Sequence, residues 1–326
     1  MKRISITLII VLLFSNIAFT QNSDEFKPNG KASVKIFTNF NSTFSDGNNH
    51  QAFEITRAYF GYNYNFSQYF SGKITLDVGN PGVGGLQMTA YLKNAMVTYK
   101  QNGLTVNFGL IGLSQFSVQE KAWGYRYLYK SFQDEHKFGS SADLGLNVAY
   151  EFDKAFSMDV TIVNGEGYKK LEADSTLLIG IGATVLPIKE VTLRAYFDFI
   201  KKDDVSQQSL ALFAGYKGKD FSMGAEYNKQ MNNKHNDGKD LTGFSIYGTY
   251  KLNSKWKIFG RYDDLASNEL MGSDWNIAKD GNLIIAGFEY TPVKGLKISP
   301  NYQGWNPKDD SKKYMTGVFM NLEIAF

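Results

Sequence analysis

Histidine is the side chain best suited to moving protons near neutral pH, and this chain carries three: His50, His136 and His235. Two stand beside acids, in DEH at 134–136 and HND at 235–237, the residue types that a base and its orienting carboxylate would need. Catalytic partners must meet in a fixed geometry, however, and all three histidines fall in polar stretches that read as connections. No GxSxG nucleophile turn is present, cysteine is absent, and no two histidines stand at metal-ligand spacing. Asp46, Asp237 and Asp240 offer the oxygen ligands of a calcium site, but read as solvated loop acids. The glycine runs GLIGLSQF and IGIGATVLP do not join a strand to a helix as a phosphate cradle would, and read as bending sites in strands. The expectation is no enzyme, no metal and no cofactor.

What does recur at regular spacing is charge. In EVTLRAYFDFI, Val191, Leu193, Ala195, Phe197 and Phe199 alternate with Thr192, Arg194, Tyr196 and Asp198. From residue 256, Trp256, Ile258, Gly260 and Tyr262 alternate with Lys257, Phe259, Arg261 and Asp263. Period-two patterning places the two sets on opposite faces of a strand. If the apolar face meets lipid, Arg or Lys aimed at mid-bilayer would cost about 2 to 4 kcal/mol, so the charges fix the inward phase. That phase collects Lys35, Arg57, Lys73, Asp77, Asp159, Arg194, Asp198, Glu226, Lys257, Arg261, Asp263, Glu289 and Glu323 as candidate pore-lining residues. The expected lumen is mixed in sign, and rings of charge in a pore tune its ion preference.

The elements that must carry these residues are short strands. YMTGVFMNLEIAF, NLIIAGFEYTP and LTGFSIYGTYKL repeat the alternation, and no second window of helical length is continuously apolar. Tight turns are expected near 66–68, 101–103, 153, 187, 217, 253 and 292. Longer polar connections are expected after the first strand at 31–40 and near 80–89, 114–139, 166–175, 201–207, 230–240, 266–280 and 306–313. Alternating short and long connections join sixteen strands into an up-and-down all-β transmembrane barrel, with short periplasmic turns and long external loops. Tyr64, Tyr99, Tyr216, Tyr250, Trp256 and Tyr290 near strand ends fit interfacial girdles. Phe326, Ile324, Leu322, Met320 and Val318 put an apolar face on the last strand. Because backbone groups in hydrocarbon must all be paired, that strand is expected to close against the first.

The first twenty residues read as an address. Lys2 and Arg3 precede ISITLIIVLLFSNIAF, and small or polar residues follow at Ala18, Thr20 and Gln21, the order of a secretory signal peptide. Residues 21–326 then form one barrel domain. Removing the signal takes away two of the 35 basic residues and none of the 32 acids, leaving +1; such a balance points to no nucleic-acid partner. The mean hydropathy of −0.30 and aromatic share of 15% suit a barrel, where lipid-facing and lumen-facing residues cancel in the average.

The stretches at 53–79 (FEITRAYFGYNYNFSQYFSGKITLDVG), 92–116 (LKNAMVTYKQNGLTVNFGLIGLSQF) and 141–168 (SADLGLNVAY, then VTIVNGEGY) resemble the phosphate-selective porin O/P family. The resemblance implies a sixteen-stranded homotrimeric porin whose long third loop folds into the lumen. Here that connection, SQFSVQEKAWGYRYLYKSFQDEHKFGS, carries Lys121, Arg126 and Lys130 among aromatics: a basic constriction if it enters the barrel, a solvated outer loop if it does not. The family's phosphate selectivity rests on an inward ladder of arginines, and only Arg57, Arg126, Arg194 and Arg261 remain after the signal. The terminal aromatic resembles the signal read by the barrel-assembly machinery. The functional expectation is an outer-membrane porin for small hydrophilic solutes or ions, with a possible anion or phosphate bias. The alternative is an adhesin or scaffold barrel with a closed lumen.

Overall fold

The computed structural model describes residues 26–45, 47–79 and 88–326, and over these the alternating sequence is realised as strands. The signal-peptide segment and most of the 80–89 connection lie outside the described residues. Sixteen strands form one closed antiparallel barrel: β1 (Asn29–Ser45), β2 (Asn48–Asn65), β3 (Phe70–Gly79), β4 (Thr89–Gln101), β5 (Leu104–Gly112), β6 (Ala142–Glu151), β7 (Phe156–Val163), β8 (Leu178–Val185), β9 (Val191–Lys202), β10 (Val205–Lys217), β11 (Phe221–Met231), β12 (Leu241–Lys251), β13 (Trp256–Ser267), β14 (Gly281–Val293), β15 (Leu296–Pro307) and β16 (Met315–Ala325). Each strand pairs with its neighbours in chain order.

The ring closes where β1 meets β16, in register from Lys35 opposite Ala325 to Phe44 opposite Thr316. One step further, the Val34 N–H donates to the Phe326 carbonyl at 2.7 Å and the Phe326 N–H returns a bond to Val34 at 3.1 Å. Closure of this kind lets backbone donors and acceptors find partners without water.

Side chains sort by parity as the sequence predicts. Along β9, Leu193, Ala195 and Phe199 are exposed on the outer surface, while Arg194, Tyr196 and Asp198 are buried inside. A register slip of one residue would exchange the two sets. Leu212, Ile246, Ile284, Phe288 and Val318 continue the outer apolar band. An apolar surface of that extent is a liability in water and is at no disadvantage against hydrocarbon.

All seven expected tight turns are present and lie at one end of the barrel. At Asn102–Gly103 both residues have positive φ, 48° and 82°, the geometry of a two-residue hairpin turn. A Cβ on Gly103 would stand 2.6 Å from the Glu151 carbonyl oxygen. Aromatic pairs ring the same end: Trp256 on Tyr290 with ring centroids 4.5 Å apart, Phe70 on Tyr99 at 5.0 Å, Tyr216 beside Phe221 at 6.4 Å.

Two connections expected to be long are short. β9 and β10 are joined by Asp203 and Asp204 alone, with Lys202 already opposite Val205. β1 and β2 stay paired up to Ser45 opposite Asn48, so the polar stretch NSTFS extends the hairpin. Polar strand ends that rise past the lipid need no apolar face, and in sequence they look like loop.

The third connection, 113–141, turns into the barrel. Its helices α1 (Ser117–Trp123) and α2 (Phe132–Glu135) carry it across the interior, and α1 stops at Gly124, which takes the left-handed conformation at φ 72° that favours glycine. Trp123, Tyr125, Tyr127 and Leu128 pack against Phe37, Phe213, Tyr247, Phe259, Leu283 and Ile285 of the inner wall. This contact between loop and barrel is the largest of three buried apolar clusters among the described residues.

Candidate pore and constriction

Aromatic area brings the loop inward, and polar anchors fix its position. Trp123 is 1% exposed and lies 5.5 Å from the Tyr247 ring and 6.2 Å from that of Phe259. Side chains of this size bring large burial energies and geometric preference. The loop's backbone polar groups are then satisfied by the wall, as burial requires. Tyr247 Oη donates to the Gln119 carbonyl at 2.9 Å, Arg261 Nη1 to the Lys130 carbonyl at 2.7 Å, and Gln230 Nε2 to the Phe138 carbonyl at 2.8 Å.

Arg261 is the main anchor. Its guanidinium binds Asp263 through two bonds of 2.7 and 2.6 Å and lies 4.9 Å from the Trp123 ring and 5.5 Å from that of Tyr129. Arg194 does the same work at the root of the loop: Nη1 and Nη2 reach the two Asp159 oxygens at 2.7 and 3.1 Å, and Nη2 also donates to the Ser114 carbonyl at 3.1 Å. Glu289 accepts from Tyr127 Oη at 3.0 Å and from Lys257 Nζ at 2.7 Å. Lys297 holds Glu323 at 2.7 Å.

These residues face inward, yet a buried side chain does not line a water path. Asp77, Asp159, Asp198, Glu226, Asp263, Glu289 and Glu323 are all buried, as are Arg194 and Arg261. For them the expected pore-lining position becomes a place within the wall or in the packing between loop and wall. Lys35 and Lys73 are exposed on the inner face, and Lys257 is half-buried. On the loop, Lys121 is exposed, Arg126 is held by Glu120 at 3.2 Å and Asp134 at 2.9 Å, and Lys130 by Glu135 at 3.4 Å. Among the sequence-predicted residues burial thus sorts the mixed charges: the acids are withdrawn and the lysines remain.

Opposite α1, the wall of β2–β4 carries a second cluster. Arg57 pairs with Asp77 at 3.3 Å and reaches Tyr91 Oη at 3.4 Å and Tyr168 Oη at 3.3 Å. Lys93 Nζ lies 4.9 Å from the Tyr59 ring centre and 5.6 Å from that of Tyr168, distances at which a cation is attracted to the ring. Lys93, Tyr59, Tyr91 and Tyr168 are absent from the sequence-predicted set. The register of β3 and β4 shifts between Thr75 opposite Asn94 and Leu76 opposite Leu92, so Lys93 is the extra residue of a bulge. A bulge breaks the period of two and hides such a residue from parity.

The histidines are apart in the chain and in the fold: His50 in β2, His136 within the loop after α2, His235 in the connection 232–240. Burial pushes the His136 pKa down from its ordinary 6.5, with the Arg261 charge acting in the same direction against nearby Asp263 and Glu135. Among the described residues one acidic group, Glu166, Glu172 and Asp174, has oxygens close enough to share an ion. Lys202 and Thr176 already occupy Asp174 and hold it down at about 2.

A closed sixteen-stranded barrel with its third loop folded across the interior is the architecture of outer-membrane porins. No family model matches the chain, and no curated protein matches it. Solved structures do. OprB of Pseudomonas putida is similar with a TM-score of 0.73 at 11% identity, over 91% of this chain and 94% of that one. An anion-selective porin from Comamonas acidovorans gives 0.71 at 10% identity, over 92% and 100%. The outer-membrane channel DcaP of Acinetobacter baumannii gives 0.67 at 14% identity, over 93% and 99%. At these identities the likeness is one of fold.

Proposed function

We propose that the chain is an integral outer-membrane porin through which small hydrophilic solutes diffuse passively, with a bias toward anions. Solutes pass between the loop face bearing Lys121 and the β1–β4 wall bearing Lys35, Arg57, Lys73 and Lys93. The observation that carries this reading is the sorting of charge by burial. Seven of the inward acids are buried, while Lys35, Lys73 and Lys121 are exposed, and fixed charge of one sign in a narrow, low-dielectric passage raises the local concentration of the opposite ion. The short-turn end faces the periplasm, residues 1–20 direct export and are removed, the barrel-assembly machinery inserts the chain, and the working unit is a homotrimer.

Phosphate selectivity draws little support from this arrangement. A guanidinium fork matches phosphate oxygens, yet Arg194 and Arg261 are buried in ion pairs and Arg126 is held by two acids. Arg57 remains, itself beside Asp77. General anion preference fits better than a phosphate ladder.

The test is single-channel conductance of the refolded mature chain in planar bilayers, with reversal potentials in a salt gradient. Anion-favouring reversal that moves toward zero in Lys73→Gln and Lys121→Gln is expected. A cation-favouring reversal overturns the bias. A folded, heat-modifiable barrel without conductance overturns the porin reading in favour of a closed scaffold or adhesin.

A further inference from the structure

Beneath the loop, on the side of β10–β13, lies a cavity of about 470 Å³, within the size range of small-molecule sites. Its roof is formed by the loop at Trp123 and Tyr125, and its mouth opens among the short turns that include Glu190 and Asp220. Trp123 and Tyr125 belong to the core between loop and wall, so the loop covers the cavity on that side. No residue of the β2–β4 wall, where Arg57 and Lys93 stand, lines it, and Lys121 at its edge is shared with the proposed solute path.

The charge of this cavity is predominantly positive, six lysines against Glu190, Asp220 and Glu289. Lys121, Lys217, Lys219 and Lys251 line it, and none of the four forms an ion pair among the described residues, whereas Lys257 and Lys297 are occupied by Glu289 and Glu323. Of the acids at the cavity, Glu289 is bound by Lys257 and Glu190 by Lys189 at 3.2 Å, which leaves Asp220 at the mouth as the one acid without an ion pair among the described residues. Parity aims Lys217 and Lys251 inward: Phe213 and Tyr247, four residues before each on the same face, are buried in the loop core. These lysines therefore point away from the lipid face and are poorly placed to meet lipid headgroups.

We infer that this cavity is a binding site for a small multivalent carboxylate entering from the short-turn end. No arginine lines it, so the fork that grips a single phosphate is missing. Separate lysine point charges around an aromatic roof match an anion whose own charges are spread over a compact carbon body. The site does not require that solutes cross the barrel.

The experiment is isothermal titration calorimetry of the refolded full chain in detergent, with citrate as the probe and acetate at equal ionic strength as the reference. One citrate per chain is expected, with acetate failing to compete at matched ionic strength. In Lys217→Gln/Lys251→Gln the affinity falls at least tenfold, while Lys154→Gln, in an exposed turn away from the cavity, leaves it unchanged. Heat-modifiable migration confirms that each variant is folded. Absence of citrate binding to the parent chain, equal binding by the double variant, or equal competition by acetate each overturns the site. Because calorimetry needs no ion flow, a barrel that binds citrate without conducting refutes the porin reading and leaves this one intact.

Discussion

The two sides of the inner wall are built from similar strands and treat charge in opposite ways. On β10–β16 the loop covers the wall, and ions such as Arg261–Asp263 and Lys257–Glu289 are paired beneath aromatic rings. On β1–β4 no helix covers the wall, and Lys35 and Lys73 remain exposed. Charge covered by the loop therefore yields structure, and charge left uncovered yields an electrostatic field. Removing a charge that the loop covers should cost stability on the first side, and removing an exposed one should cost ion preference on the second.

The largest effect is expected at Arg261. Arg261→Ala leaves Asp263 buried without its partner, a loss of about 3 to 5 kcal/mol, and frees the Lys130 carbonyl; urea unfolding in lipid would register it together with a rise in conductance as the loop loosens. Unchanged stability would break the contrast between the sides. Trp123→Ala removes the centre of the loop core and is expected to cost about 3 kcal/mol, read by the same unfolding midpoint. Tyr127→Phe deletes one hydrogen bond to a charged group, about 1.5 kcal/mol, since Glu289 retains Lys257.

A smaller effect depends on pH. Burial disfavours the charged form of His136, so the folded protein binds its proton less readily than the unfolded chain. The contribution of His136 is then fully present above pH 6.5 and is lost as pH falls below that value toward the lowered folded pKa. His136→Gln should flatten this acid-side loss in thermal midpoints measured from pH 7 down to 5. On the opposite wall Lys73→Gln should change stability by less than about 0.5 kcal/mol while moving the reversal potential.

Strand number, face and closure were legible in the sequence because lipid on one side and a lumen on the other impose a period of two. Asp198 and Glu323 were assigned inward on that basis and lie there. The tips of β1, β9 and β10 were not legible, since strands beyond the lipid carry polar residues on both faces. Lys93 escaped because a bulge interrupts the period. The third loop was ambiguous for a different reason: Trp123, Tyr125 and Tyr127 have no periodic partner within their own segment, and their meaning depends on Tyr247 and Phe259 more than a hundred residues away. The fate of the inward charges followed from that loop, so parity could give their direction but not their access to water.

The seam between β1 and β16 also bears on kinetics. Val34 and Phe326 bond to each other across nearly the whole length of the chain, while every other strand pair of the barrel joins consecutive strands. Hairpins form by local search, but the seam must await a closure whose entropic cost grows with the logarithm of the intervening length, and non-local pairing of this kind slows folding. The ring is thus expected to assemble as an open, curling sheet whose two edges meet last, and to begin unfolding at the same line.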